Sequence, residues 1–186
     1  MGEDSQISIK ISEDELVERS KCDKQAFSHL YDIYFPKIYG FVIKRVGHQQ
    51  VAEDIVSVVF IKVYANINKY KKRKCSFSAW IYKITNNTLI DYYRKTGKRK
   101  SVPLEGVPEV NFAVDPIDIE AIQDAKTVRV VIEKLSPKYQ QILNLKFFAQ
   151  LDNGEIAEVL DVTANNAGVL IYRALQSFKK HYIKYV

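Results

Sequence analysis

The sequence predicts an all-α protein: two small helical domains joined by a flexible linker, the second containing a helix-turn-helix. Three observations carry this. Apolar residues recur at helical spacing in most segments. No segment shows the two-residue alternation of a half-buried strand. Helical periodicity lapses mainly over "SVPLEGVPEVNFAVDPIDIE", residues 101–120, which holds three Pro and a Gly. The domains are therefore expected at 1–98 and 123–186, with the linker at 99–122.

The elements follow in order. "SEDE", Ser12 to Glu15, reads as a capping box opening a short helix. Asp23 can cap a second helix, in which Ala26, Leu30 and Ile33 or Tyr34 recur. Pro36 suits the first turn of a third helix, with Gly47 as its stop. From Gln49 to about Ile67, Val51, Ile55, Val58, Val59 and Phe60 form a broad apolar face. From Ser76 to about Thr96, Phe77, Trp80, Ile81, Ile84 and Leu89 form another, and Gly97 lies past the end. Beyond the linker, helices resume in "IEAIQDAKTVRVVIEKL". Ser136 and Pro137 then supply an N-cap and a first-turn proline for "PKYQQILNLKFFAQ".

The chain of 186 residues carries a net charge of +6, unevenly distributed. Residues 1–61 sum to −3, residues 62–100 to +11, residues 101–125 to −6 and residues 126–186 to +4. A surface for a polyanion is thus expected in the middle of the chain. The acidic start "MGEDSQISIK" lacks the order of a signal peptide, and runs such as "IVSVVFI" are too short to span a bilayer. Cys22 and Cys75 lack metal-type spacing and read as reduced thiols. The expected location is the cytoplasm, without membrane insertion.

Two stretches carry chemistry. In "NGEIAEVLDVTANNAGVLIYRALQSF", Ile156, Ala157 and Leu160 place apolar contacts on a short helix, Asp161-Val162 makes a turn, and Thr163 can cap a second helix. Ala167, Ile171, Ala174 and Phe178 give that helix a buried stripe. Its outward face then holds Asn165, Asn166, Gly168, Val169, Tyr172, Arg173 and Gln176. An ordinary helical hairpin shares the spacing, but the Glu-Ile-Ala-x-x-Leu pattern and the capped second helix favour a DNA-reading motif. Asn suits an adenine edge and Val a thymine methyl. Between Thr163 and Tyr172, however, there is no Lys or Arg, so this helix alone should hold DNA weakly.

The second stretch is Lys62 to Lys100, with 12 cations, one Asp and seven aromatic side chains interleaved. Cations among aromatics suit phosphates and unpaired bases together. The loop residues Lys71, Lys72, Arg73 and Lys74, with Lys83, Asn86, Asn87, Arg94 and Lys95 of the following helix, are the contact candidates. Trp80 lies on the apolar stripe and reads as core rather than a base platform.

"VAEDIVSVVFIKVYANINKY" and "FSAWIYKITNNTLIDYYRK" together resemble the first conserved domain of bacterial RNA polymerase sigma factors. "LSPKYQQILNLKFFAQLDNGEIAEVLDVTANNAGVLIYRAL" resembles their C-terminal promoter-binding domain. The short linker points to the extracytoplasmic-function group of the sigma-70 family. The resemblance implies core RNA polymerase as partner, with Asp54, Ser57, Phe60 and Lys62 on a helix docking on the clamp of the largest subunit; Phe60 reads equally as core. It implies that Ala79, Trp80, Ile81, Tyr82, Asn87, Asp91 and Arg94 carry the pattern of the helix that binds and opens the −10 element. The helix from Thr163 would read the −35 element, and the acidic linker would follow the RNA exit path or act as a solubilising tether. An anti-sigma protein is a further partner that the family admits. The family usually has Gln where Ser57 stands, and basic residues where Gly168 and Leu170 stand.

Neither a catalytic constellation nor a cofactor or metal motif is evident: His29, His48 and His181 are scattered, and no phosphate loop accompanies paired carboxylates. The expectation is a non-enzymatic sigma factor that directs promoter-specific initiation. The alternative is a sigma-like or helix-turn-helix regulator that binds polymerase or DNA without conferring initiation. An independent repressor would normally need dimer symmetry and a charged reading helix, and neither is evident.

Overall fold

The computed structural model describes residues 11–72, 75–97 and 125–185, and the expected linker lies outside them. Among the described residues there are eight α-helices and no strand. They fall into two compact units, residues 1–77 and 78–186.

The first unit holds α1 (Glu13–Ser20), α2 (Lys24–Val46) and α3 (Gln49–Asn66), closed by a 3₁₀ turn, Ile67–Lys69. Ser12 caps α1, its hydroxyl accepting from the Glu15 N–H at 3.3 Å. Asp23 caps α2 in the same way through Gln25 at 2.8 Å. Gly47, with φ of 68°, ends α2 in the left-handed region that glycine adopts without a side-chain penalty. Pro36 does not open a third helix; it stands inside α2, which runs straight through it. An interior proline removes one helical hydrogen bond and costs about 3 kcal/mol. Tyr34, Ile38, Phe41 and Val42 are buried on either side of it, and each such side chain returns about 1.5–3 kcal/mol. Packing therefore outweighs the local break. Pro36 itself is exposed, so the interrupted turn sits on the solvent side.

Aromatic rings join α2 to α3. Tyr31 meets Phe60 at 4.5 Å and stacks on Phe35 at 5.2 Å, and Phe27 meets Tyr64 edge-on at 4.8 Å. Tyr34, Tyr70 and Phe77 form a second ring cluster that closes the unit.

The second unit holds α4 (Phe77–Lys95, all but its first residue), α5 (Ala125–Glu133), α6 (Pro137–Leu143), α7 (Asn153–Leu160) and α8 (Ala164–Tyr182). Ser136 caps α6 through Tyr139 at 3.4 Å, with Pro137 in the first turn. The helix expected through Gln150 changes character midway: Asn144–Phe148 form a π-helical turn, with the Ala149 N–H donating to the Asn144 carbonyl at 3.0 Å. Four successive residues, Ile142 to Leu145, are buried there, which no one-faced surface helix would allow. Helices α5, α6 and α7 all pack on α8.

A capping box starts α7: the Asp152 carboxylate accepts from the Glu155 N–H at 2.8 Å, and the Glu155 carboxylate from the Asp152 N–H at 2.9 Å. Asp161 ends α7 in the left-handed region at φ 59°, as its place in the turn requires, and Thr163 caps α8 through Asn166 at 3.3 Å. Replacing Asp152 by Ala should therefore destabilise the chain by about 1 kcal/mol. Thermal unfolding checks this, and an unchanged midpoint would show that the box contributes nothing.

Candidate polymerase and nucleic-acid interfaces

Helical register decides which side of α3 is available. Ala52, Ile55, Val56, Val59, Phe60 and Val63 are buried, so the opposite side must face solvent. Asp54 and Ser57 lie on that side and are exposed, and Lys62 is half-buried. Phe60 is only 6% exposed and packs against Tyr31 and Phe35, so it belongs to the core. Val58, counted above with the apolar face, is exposed instead, because it lies one residue off the buried stripe. With it stand Ile61, 67% exposed, and Tyr64. Together Asp54, Ser57, Val58, Ile61 and Tyr64 make a mixed polar and apolar strip along one helix side. Ile61 escaped the sequence reading, and Tyr64 figured there only among the aromatics of the basic block, although two apolar residues off the core stripe are the signal of such a strip.

The residues on either side of the basic run, Tyr70 and Cys75, are joined. Tyr70 is buried, its hydroxyl donating to the Cys75 carbonyl at 3.0 Å and its ring edge-on to Phe77 at 5.5 Å. Burial pushes the Tyr70 hydroxyl up to about 12, with smaller contributions from Cys75, Asp14, Glu13 and Glu18. Next to this anchor Lys71 and Lys72 are exposed, and Lys72 pairs with Asp14. Both partners of that pair are exposed, so the pair contributes little and Lys72 can exchange it for a phosphate. Arg73 and Lys74 lie outside the described residues.

Along α4, Asn87, Asp91, Arg94 and Lys95 share an exposed stripe, with Lys83 half-buried near its start. Arg94 lies 3.8 Å from Asp91, a weak surface pair. Trp80 is half-buried, as are Ile84 and the ring pair Tyr92–Tyr93. Asn86 departs from expectation. Instead of facing outward it is 9% exposed, and its amide is bonded to Val159 in α7 and Gln141 in α6. One step around the helix separates it from Asn87, and that step turns it from solvent to packed interior.

In α8 the stripe Ala167, Ile171, Ala174 and Phe178 is buried as its spacing implies, and Leu170 joins it at 2% exposure. The Leu170 position therefore cannot present a cation outward in this chain. Asn165 is exposed, and Asn166, Gly168, Val169, Tyr172, Arg173 and Gln176 are half-buried. A Cβ added at Gly168 would meet only the Asn153 amide nitrogen, at 4.0 Å.

Two cations beside this helix were invisible to a count along the helix itself. Lys146, in the π-helical turn, donates to the Asn153 carboxamide oxygen at 3.3 Å, the same side chain that borders Gly168. Lys138, in the first turn of α6, has its ammonium pushed below the usual lysine range by burial and by the Arg173 charge. Lys138 and Arg173 thus come together from α6 and α8, a like-charge pair that an anion would relieve.

The family pattern Sigma-70 region 2 matches residues 30–99, and Sigma-70, region 4 matches residues 126–178. The first match runs through α4 and so crosses the division between the compact units at residue 77. The ECF RNA polymerase sigma factor SigW of Bacillus subtilis is 31% identical over 172 residues, covering 86% of this chain and 90% of its own length. BldN, an ECF RNA polymerase sigma factor of Streptomyces coelicolor, is 28% identical over 170 residues, covering 89% of this chain and 64% of its own. The fold resembles the sigma factor RpoE of Bartonella quintana, solved with the anti-sigma factor NepR, with a TM-score of 0.62 at 18% identity over 84% of this chain and 96% of that one. Two sigma-70 regions in order along one chain, together with the 31% identity to SigW over most of both chains, place this chain in the extracytoplasmic-function group of the sigma-70 family.

Proposed function

We propose that the chain binds core RNA polymerase in the cytoplasm and directs it to promoters, with the work divided among three surfaces. The exposed side of α3, with Asp54, Ser57, Val58, Ile61 and Tyr64, docks on the polymerase. The basic loop and the outward stripe of α4, Asn87, Arg94 and Lys95 with Lys83 near its start, engage and open the −10 element. Helix α8 reads the −35 element through Asn165, Asn166, Val169 and Tyr172, while Arg173, Lys138 and Lys146 hold phosphate around it. On this reading residues 1–98 serve docking and opening, 99–122 link, and 123–186 read duplex DNA. The chemistry of RNA synthesis belongs to the polymerase, and an anti-sigma protein covering the same surfaces is a natural antagonist.

The observation that carries this reading is the ordered pair of regions on one chain. Run-off transcription with core enzyme on source-genome promoters tests it: a promoter-selective product is expected. A second reading, a chain that binds polymerase without conferring initiation, draws support from the uncharged first turns of α8. It predicts polymerase binding with no specific transcript.

Replacing Lys71, Lys72, Arg73 and Lys74 by Ala should flatten the salt dependence of holoenzyme binding to a pre-melted promoter. The log–log slope should fall by about 0.7 for each lost single-strand phosphate contact, and an unchanged slope would leave the loop merely solvated.

Neighbouring substitutions on α3 should separate docking from packing. Ile61→Asp should abolish polymerase binding at an unchanged unfolding midpoint, since Ile61 supports no core. Phe60→Ala should instead cost about 3–5 kcal/mol of stability. Polymerase pull-down beside thermal unfolding reads both effects, and the reverse pattern would assign docking to Phe60.

A further inference from the structure

Helix α3 carries a second stripe opposite its buried one. Asp54, Val58, Ile61 and Ala65, with Asn68 in the 3₁₀ turn that continues the helix, follow at steps of four, three, four and three, and all are exposed. That alternation keeps a seam on one helix side, the pattern by which one helix packs along another. Ser57 and Tyr64 flank the seam and are exposed as well. Its middle is apolar, with Ile61 67% exposed and Val58 43%. Its ends carry opposite charge: Asp54 stands at the start, and the exposed Lys69 follows Asn68 at the finish.

These features are self-complementary about Ile61. Let a second α3 run antiparallel along the seam, with the two-fold axis at Ile61. Residues equally far before and after Ile61 then lie at the same height. Ile61 meets its own copy, Ser57 meets Tyr64 of the second copy, and Val58 packs over the small Ala65. Asp54, seven residues before Ile61, comes beside Lys69 of the second copy, eight residues after it and on the same side of the seam. Two-fold symmetry makes that ion pair twice. A parallel pairing sets Asp54 beside Asp54 and Lys69 beside Lys69, so like charges disfavour it.

We propose that a second copy of this chain occupies the seam, giving an antiparallel α3–α3 dimer in which each Asp54 faces the other copy's Lys69. A seam of about four helical turns is small beside the roughly 1,200–2,000 Å² of stable interfaces. The dimer therefore forms at micromolar concentrations and dissociates readily. It uses the same side of α3 that is proposed to dock on polymerase, so the two associations exclude each other. That exclusion rests on the docking reading, whereas the dimer does not.

Sedimentation velocity of the full chain, from low to high micromolar concentration, tests the pairing. Asp54→Lys and Lys69→Asp should each weaken the dimer about tenfold, because attraction becomes repulsion at both symmetric ends. The chain with both substitutions restores opposite charges, and its dissociation constant should return to within about twofold of wild type. A chain that sediments as a monomer at every concentration overturns the proposal. So does a dimer that the single reversals leave intact or that the double reversal fails to restore, since either places the contact elsewhere. If a reversal lowers the unfolding midpoint, the salt dependence of the wild-type dimer decides instead: salt should weaken it, and a salt-independent dimer overturns the pairing. Core polymerase added to the wild-type dimer should yield a complex holding one copy of the chain. A dimer that passes the charge tests and binds polymerase intact would sink the docking reading of α3 and leave the dimer standing.

Discussion

Burial of one stripe on α8 sets the orientation of everything the second unit presents. Ala167, Leu170, Ile171, Ala174 and Phe178 all face inward against α5, α6 and α7. The two alanines let neighbouring helices approach closely, and the large residues lock the rotation about the helix axis. Once that rotation is set, Asn165 and Asn166 have no freedom to turn away from the outside. Leu170 has none to turn toward it. The low charge of the outward face of α8 is therefore partly a packing outcome, since Leu170 supports the core. The cations recovered nearby, Lys138 and Lys146, come from α6 and from the π-helical turn, which the same stripe holds in place.

Much of the fold was legible because capping chemistry and apolar spacing act locally. Ser12, Asp23, Ser136 and Thr163 each cap the helix that their position suggests, and Gly47 and Asp161 take the left-handed conformations expected of them. Pro36 misled because its local cost is real but smaller than the burial gained on both sides, a balance that only tertiary packing reveals. The π-helical turn left no mark in the sequence, since its cause is the burial of four consecutive residues.

The candidate sites were legible where a residue's role depends on its own helix, and obscure where it depends on another. Asp54, Ser57, Asn87 and Arg94 follow from register alone and are exposed accordingly. Asn86 differs from Asn87 only in what packs against it, and that partner lies more than fifty residues away in Gln141. Lys138 gains its interest from Arg173 in the same manner, through a proximity that no window along the chain could register.

The strip of Val58, Ile61 and Tyr64 has a consequence for the chain when no partner covers it. Apolar surface left in water attracts other apolar surface, including the same strip on a second copy, and the attraction grows with concentration. A cell that accumulates this protein ahead of need thus has a storage problem. A companion that shields that helix side would remove this attraction. The residues proposed to dock would thus also limit how much of the chain can wait unassociated.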